Sequence, residues 1–355
     1  MQVKLSSMIT VRAIAAAVTT LVASGAANAQ SDVTLYGLID IAAVWVDKAD
    51  AKGNDSKKIS KGAMGGSRWG VRAVEDLGDG LKAIVVLESG FNPDDGGMAQ
   101  NGRLFGRQAF VGLQSAWGGL TVGRQYSPVY NVNKLNEPFG AYNLNEPLFL
   151  SDNYTGTPGA GNGSTRWDNS VQYAGKFGGF NLVAIAAAGE GVAGTASVGR
   201  KEGLSAGYAG SSYSVNAGWQ QTRNGSGLLN HKVWTIGGHW TVIAPLKLNL
   251  SYTDHTSDTT SQTNRILAVG GTYAITPALD VVAGYYFDQQ KNLDGDKSVF
   301  ALLANYKLSK RTSVYITGDR GDRSGKYATN VFEQHPWPVG YDSRTTVSVG
   351  ARHSF

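Results

Sequence analysis

The stretch Gly203-Leu204-Ser205-Ala206-Gly207 has the G-x-S-x-G spacing that, on a strand-to-helix elbow, exposes a serine nucleophile. The residues after it alternate like a strand, so the elbow is not expected. His231, His239, His255, His335 and His353 show no H-E-x-x-H or other ligand spacing. With no Cys in the chain there is no thiolate site, no nucleophilic thiol and no disulfide. Asp294-Gly295-Asp296 lacks the twelve-residue pattern and closing Glu of a Ca²⁺ loop. Neither a catalytic group nor a metal or cofactor is therefore expected. What remains is fixed charge. The polar stretch 127–165 carries Glu137, Glu146 and Asp152, with Lys134 its single base. Arg68 and Arg72 share one parity, opposite Trp69 and Val71, and so point to a wet face together. Arg107 and Arg124 share parity with Ala109, Val111 and Leu113, and with Leu120 and Val122, which leaves their direction open.

The elements that must position these charges announce themselves by period. Leu246, Leu248, Leu250 and Tyr252 alternate with Lys247, Asn249, Ser251 and Thr253. Tyr213, Val215, Ala217 and Trp219 alternate in the same way with Ser214, Asn216, Gly218 and Gln220. Each is a strand with one oily and one wet face. Such segments run for about ten residues, roughly twice the usual soluble strand and near the 9 to 11 of a tilted strand crossing a bilayer. Aromatics sit at their ends, as interfacial girdles require (Trp234 with Trp240, Tyr285 with Phe287). A soluble sandwich with the oily parity at its core is the alternative.

Composition agrees. The 355 residues include 47 Gly, with only 17% charged, and the net charge of +5 is spread too evenly for a nucleic-acid partner. Lys4 and Arg12, an apolar stretch over 13–22 and the small-x-small Ala27-Asn28-Ala29 predict an export signal over 1–29. Residues 30–355 are then one domain. Behind the signal no apolar run reaches the length of a spanning helix. Short turns at 75–80, 116–119, 175–179, 210–212, 244–245, 276–277 and 307–311 alternate with longer polar stretches at 47–62, 92–103, 127–165, 189–200, 224–231, 256–264, 290–296 and 320–341. That pattern gives an all-β, antiparallel barrel of sixteen strands, with fourteen or eighteen still open. Closure follows from the solvent, because a sheet in hydrocarbon can leave no edge unpaired.

The sequences VTLYGLID (33–40), GSRWGVRAVEDLGDGLKAIVVLESGFN (66–92), LFGRQAFVGLQS (104–115), GLTVGRQY (119–126) and SVGARHSF (348–355) resemble the Gram-negative general diffusion porins, specifically the trimeric beta-proteobacterial and neisserial type. Ser354 departs from the basic residue common there. The resemblance implies a multi-pass protein of the outer membrane, a homotrimer of 16-stranded transmembrane barrels, each with a water-filled pore for passive diffusion of ions and small hydrophilic solutes. It also implies that the loop 127–165 folds inward. Glu137, Glu146 and Asp152 would then face Arg68, Arg72, Arg107 and Arg124 across the constriction, setting a transverse field. The closing aromatic, Phe355, resembles the signal read by the barrel assembly machinery, and lipopolysaccharide and outer-membrane lipid are the surroundings implied. On the inner parity Arg68, Arg72, Lys82, Lys247, Arg344 and Arg352 outnumber Asp40, Glu88 and Asp280, which predicts a weak anion preference. A substrate-specific channel, with an aromatic slide built from Tyr126, Tyr130, Phe139, Tyr142, Phe149 and Tyr154, and a barrel enzyme are the other readings.

Overall fold

The computed structural model describes residues 31–140, 165–189, 199–223, 230–258, 262–291, 294–325 and 341–355. The export signal expected over 1–29 lies outside them. Seventeen extended segments form one antiparallel sheet that closes on itself: β1 (Ser31–Val46), β2 (Ser56–Lys61), β3 (Arg68–Gly78), β4 (Leu81–Gly90), β5 (Gln108–Ser115), β6 (Gly118–Tyr126), β7 (Arg166–Phe177), β8 (Phe180–Ala187), β9 (Lys201–Ala209), β10 (Tyr213–Arg223), β11 (Asn230–Ile243), β12 (Leu246–Ser257), β13 (Gln262–Ala274), β14 (Leu279–Lys291), β15 (Gly295–Lys307), β16 (Thr312–Arg323) and β17 (Ser343–Ser354). The barrel nevertheless has sixteen wall positions. β2 and β3 are two halves of one strand, both pairing with β1, with Lys61 opposite Ile41 and Arg68 opposite Leu38.

The oily parity faces outward. Along β10, Tyr213, Val215, Ala217 and Trp219 are exposed while Ser214, Asn216, Gly218 and Gln220 are buried inside. This reverses a soluble protein, because the outer solvent is hydrocarbon and the lumen holds water. Girdle aromatics recur six residues apart on one strand, Tyr213 to Trp219, Trp234 to Trp240 and Phe300 to Tyr306, or roughly 20 Å along each. Near the short turns Phe180, Tyr208 and Tyr213 form a contacting row, with ring centroids 4.8 and 6.0 Å apart.

Closure is made between β1 and β17, from Leu38 opposite Ser354 to Val46 opposite Thr346. The last residue extends the seam. The Phe355 amide donates to the Gly37 carbonyl at 3.1 Å, and the Phe355 main-chain oxygen accepts from the Gly37 amide at 3.0 Å. Its ring lies over Gly37, where any Cβ would collide with it.

The first long stretch is shorter than its polar composition predicts, since 56–61 pair as β2. The lysines at 57, 58 and 61 mask an alternation that Ile59, exposed on the outer face, does follow. Between β2 and β3, residues 62–67 stand opposite only Ile39 and Asp40 and fold into the lumen. Asp40 Oδ2 holds them by accepting from the amides of Met64 (2.9 Å) and Gly65 (2.7 Å). Asp40 Oδ1 accepts from the Tyr315 hydroxyl at 2.7 Å. Position 62 must be glycine, because a Cβ there would sit on the Asp40 carboxylate.

Among the described residues one helix of more than a turn runs inside the barrel, α1 (Pro128–Asn136). Ser127 caps it by accepting from the Tyr130 amide at 3.3 Å, with proline in the first turn and Pro138 just beyond its end. Its docking is polar. The Thr235 hydroxyl donates to Asn133 Oδ1 at 2.6 Å, Asn216 Nδ2 donates to Asn136 Oδ1 at 2.9 Å, and Asn249 Nδ2 donates to the Asn136 carbonyl at 3.0 Å. Gly218 gives the helix room: a Cβ there would lie 3.2 Å from Val132 Cγ2. Past the helix, Phe139 inserts among Met64, Val282, Tyr286, Leu303 and Tyr315, a hydrophobic cluster that fills part of the lumen.

Candidate functional site

The inward bulge and α1 leave a cavity of about 420 Å³ against the opposite wall. It is lined by Arg68 of β3, Glu88 of β4, Arg107 just before β5, Tyr126 of β6, Tyr130 and Lys134 of α1, Arg166 of β7 and Arg352 of β17, with Tyr36 of β1. Five cations thus meet one carboxylate. Glu88 is held on two sides, with Oε1 accepting from Arg107 Nε at 2.7 Å and Oε2 from the Tyr36 hydroxyl at 3.1 Å. Arg68 Nε stands 3.9 Å from Glu88 Oε2. The Tyr126 hydroxyl accepts from both Arg107 (2.8 Å) and Arg166 (3.0 Å), which fixes two guanidinium groups at one point. Glu88 offsets one of these charges, and the remaining cations make the constriction electropositive.

Of the charges singled out in the sequence, Arg68 and Arg107 come together here. Arg72 lies on the inner parity of β3, further towards the short β3–β4 turn and outside this cavity. Arg107 turns inward against its parity because it precedes the first paired residue of β5, so sheet alternation does not bind it. Arg124 lies at a break in the β6–β7 register, its side chain mostly buried and outside this cavity. It pairs with Asp168 of β7 at 2.6 Å, and Arg103 reaches the same carboxylate at 2.7 Å.

Glu137 is in the inward loop yet does not face the arginines. It caps the end of α1 and is 3% exposed, and its Oε2 has no partner. Burial pushes its carboxyl well above the usual carboxylate range. The described part of the loop therefore presents Lys134 to the cavity where an acid was expected. Glu146 and Asp152, with Tyr142, Phe149 and Tyr154, lie outside the described residues. Sequence reasoning missed Arg166, which β7 carries in from the far end of the loop and which no alternation marks. Ser205, from the hydrolase-like pentapeptide, is buried inside strand β9, and β10 follows it.

A closed barrel with a greasy exterior and a narrowed, charged lumen defines a membrane channel. The sequence places it more closely: the model of the Gram-negative porin family matches residues 13–326, and the chain belongs to that family. Outer membrane porin protein 32 of Delftia acidovorans is 32% identical over 358 residues, covering 96% of this chain and 98% of that one. An outer membrane porin of Bordetella pertussis is 47% identical over 131 residues, which span 33% of this chain and 34% of that protein. Among solved structures, the anion-selective porin from Comamonas acidovorans superposes with a TM-score of 0.79 at 26% identity, covering 92% of this chain and 100% of that one. The trimer form of OmpT from Vibrio cholerae has the same fold, with a TM-score of 0.68 at 20% identity. The chain is an outer-membrane porin, a multi-pass β-barrel channel.

Proposed function

We propose that the pore passes small hydrophilic solutes and ions with a preference for anions, and that its constriction is set by Arg68, Arg107, Lys134, Arg166 and Arg352 around Glu88. The observation that carries this is the imbalance of five cations to one acid at the narrowed cavity. Fixed positive charge raises the local concentration of anions and repels cations. The likeness to an anion-selective porin supports the same sign. The reversal potential across a planar bilayer in a KCl gradient tests it, and a preference for K⁺ refutes it.

We further propose a homotrimer. The outer faces of β1, β16 and β17 carry the aliphatic Ile39, Ile316 and Val349, with Trp45 and Phe355 towards the two ends, and this aliphatic band supports a face turned to protein. Loss of a slow-migrating band on boiling tests this, and a single unchanged monomer band overturns it. Phe355 serves in this reading as the signal for the barrel assembly machinery, and lipopolysaccharide borders the remaining outer face.

A further inference from the structure

The constriction holds an aromatic assembly that charge selection by itself does not require. Tyr126 and Tyr130 stack nearly parallel, 12° apart with ring centroids at 4.8 Å. The Arg166 guanidinium lies over the Tyr126 ring, 4.6 Å from its centroid. Tyr36 brings a third phenol to the same cavity. A guanidinium is planar and weakly hydrated, so it stacks on rings as readily as it pairs with carboxylates. The column Tyr130, Tyr126, Arg166 is thus already an alternation of flat π surfaces and flat cations.

Donors are in reserve beside it. A guanidinium carries five N–H groups. Among the described residues, Arg68 has one hydrogen bond within 3.5 Å, to the Gly66 carbonyl at 3.3 Å. Arg352 also lines the cavity. A carboxylate entering from water could therefore be taken by a fork of two parallel N–H groups. The volume of about 420 Å³ is within the roughly 300–1,000 Å³ of small-molecule sites. An aliphatic anion would use only the charge, whereas a flat aromatic one would use charge and stacking together.

We propose that this constriction is a subsite for planar aromatic carboxylates, of which benzoate is the simplest, held by their carboxylate at the arginines and by their ring against the Tyr126–Tyr130–Arg166 column. The proposal rests on the anion preference above. Stacking of one ring on another contributes about 1 kcal/mol beyond the area it buries, so benzoate should bind about fivefold more tightly than cyclohexanecarboxylate, which has the same charge and similar size without a π face.

The experiment is a titration of single-channel chloride current with each acid, on the full-length trimer in a planar bilayer. Saturable block by benzoate at about one fifth the concentration needed for cyclohexanecarboxylate is the expected result. In Tyr130→Leu the two acids should block alike, and in Tyr130→Phe benzoate should keep its advantage. Equal block of the unmodified channel overturns the proposal even if no variant assembles, as does an advantage that survives in Tyr130→Leu. The Cl⁻/K⁺ reversal potential is measured in the same membranes. A cation preference there refutes the anion reading itself, while an anion preference with equal block by the two acids refutes only the aromatic subsite.

Discussion

Arg107→Gln removes one unit of positive charge from the constriction and bares the carboxylate that Arg107 now neutralises. A sphere of the observed 420 Å³ places the lost charge roughly 5 Å from a permeating ion, where in water the interaction is about 0.8 kcal/mol. Anion and cation feel it with opposite sign, so the difference between them is about 1.6 kcal/mol before screening. At 0.1 M salt, with a Debye length of about 10 Å, roughly 1 kcal/mol survives, a fivefold fall in the anion-to-cation permeability ratio. At 1 M, with a Debye length of about 3 Å, the fall shrinks to less than about twofold. Reversal potentials at both salt levels measure it. Adding Glu88→Gln to the same chain restores the net charge and should recover most of the original ratio. Arg124→Gln, outside the cavity and paired with Asp168, should leave the ratio close to where it was. A single variant with an unchanged ratio at 0.1 M, or a double variant as impaired as the single, refutes the electrostatic reasoning.

Three further outcomes follow from the same contacts. Phe139→Ala empties a site 2% exposed at the loop tip. Losing about 3–5 kcal/mol of packing there should free the loop and increase open-channel current noise, and an unaltered noise spectrum would count against Phe139 as the pin. Glu137 has its folded-state value raised above the ordinary 4.5, so its contribution to loop docking is complete below that pH and is lost as the pH rises through the raised value. Noise of the native channel should therefore grow on the alkaline side while Glu137→Gln stays flat, and parallel profiles would refute the assignment. Deleting Phe355 removes both of its backbone bonds to Gly37 and the ring over it. The yield of heat-modifiable barrel in the outer membrane should fall several-fold, and normal yield would argue against a role in assembly.

Alternation is a local property, and local properties can be read without a structure. In β10 the sequence shows the two faces, the six-residue interval from Tyr213 to Trp219 and the turns at either end, and the strand lies where those cues place it. The break between β2 and β3 is not marked, because it depends on Asp40 and Tyr315, one near each end of the chain. Parity predicted Arg68 correctly, since it sits within a paired strand. It left the direction of Arg107, one residue outside β5, open, and the bond to Glu88 turns that side chain inward. The acid of the loop was visible at Glu137, but its burial depends on α1 docking against β10, β11 and β12 through Asn133 and Asn136.

The sequence by itself determined long two-faced strands, and in lipid, where every backbone group needs a partner, such strands must close into a ring. Which charges face one another was decided only by the tertiary structure. Arg68 and Glu88 lie on the neighbouring strands β3 and β4 with Arg107 beside them, while Arg352 and Lys134 join them because the barrel closes β17 on β1 and α1 lies inside the lumen, and Arg166 comes in from β7.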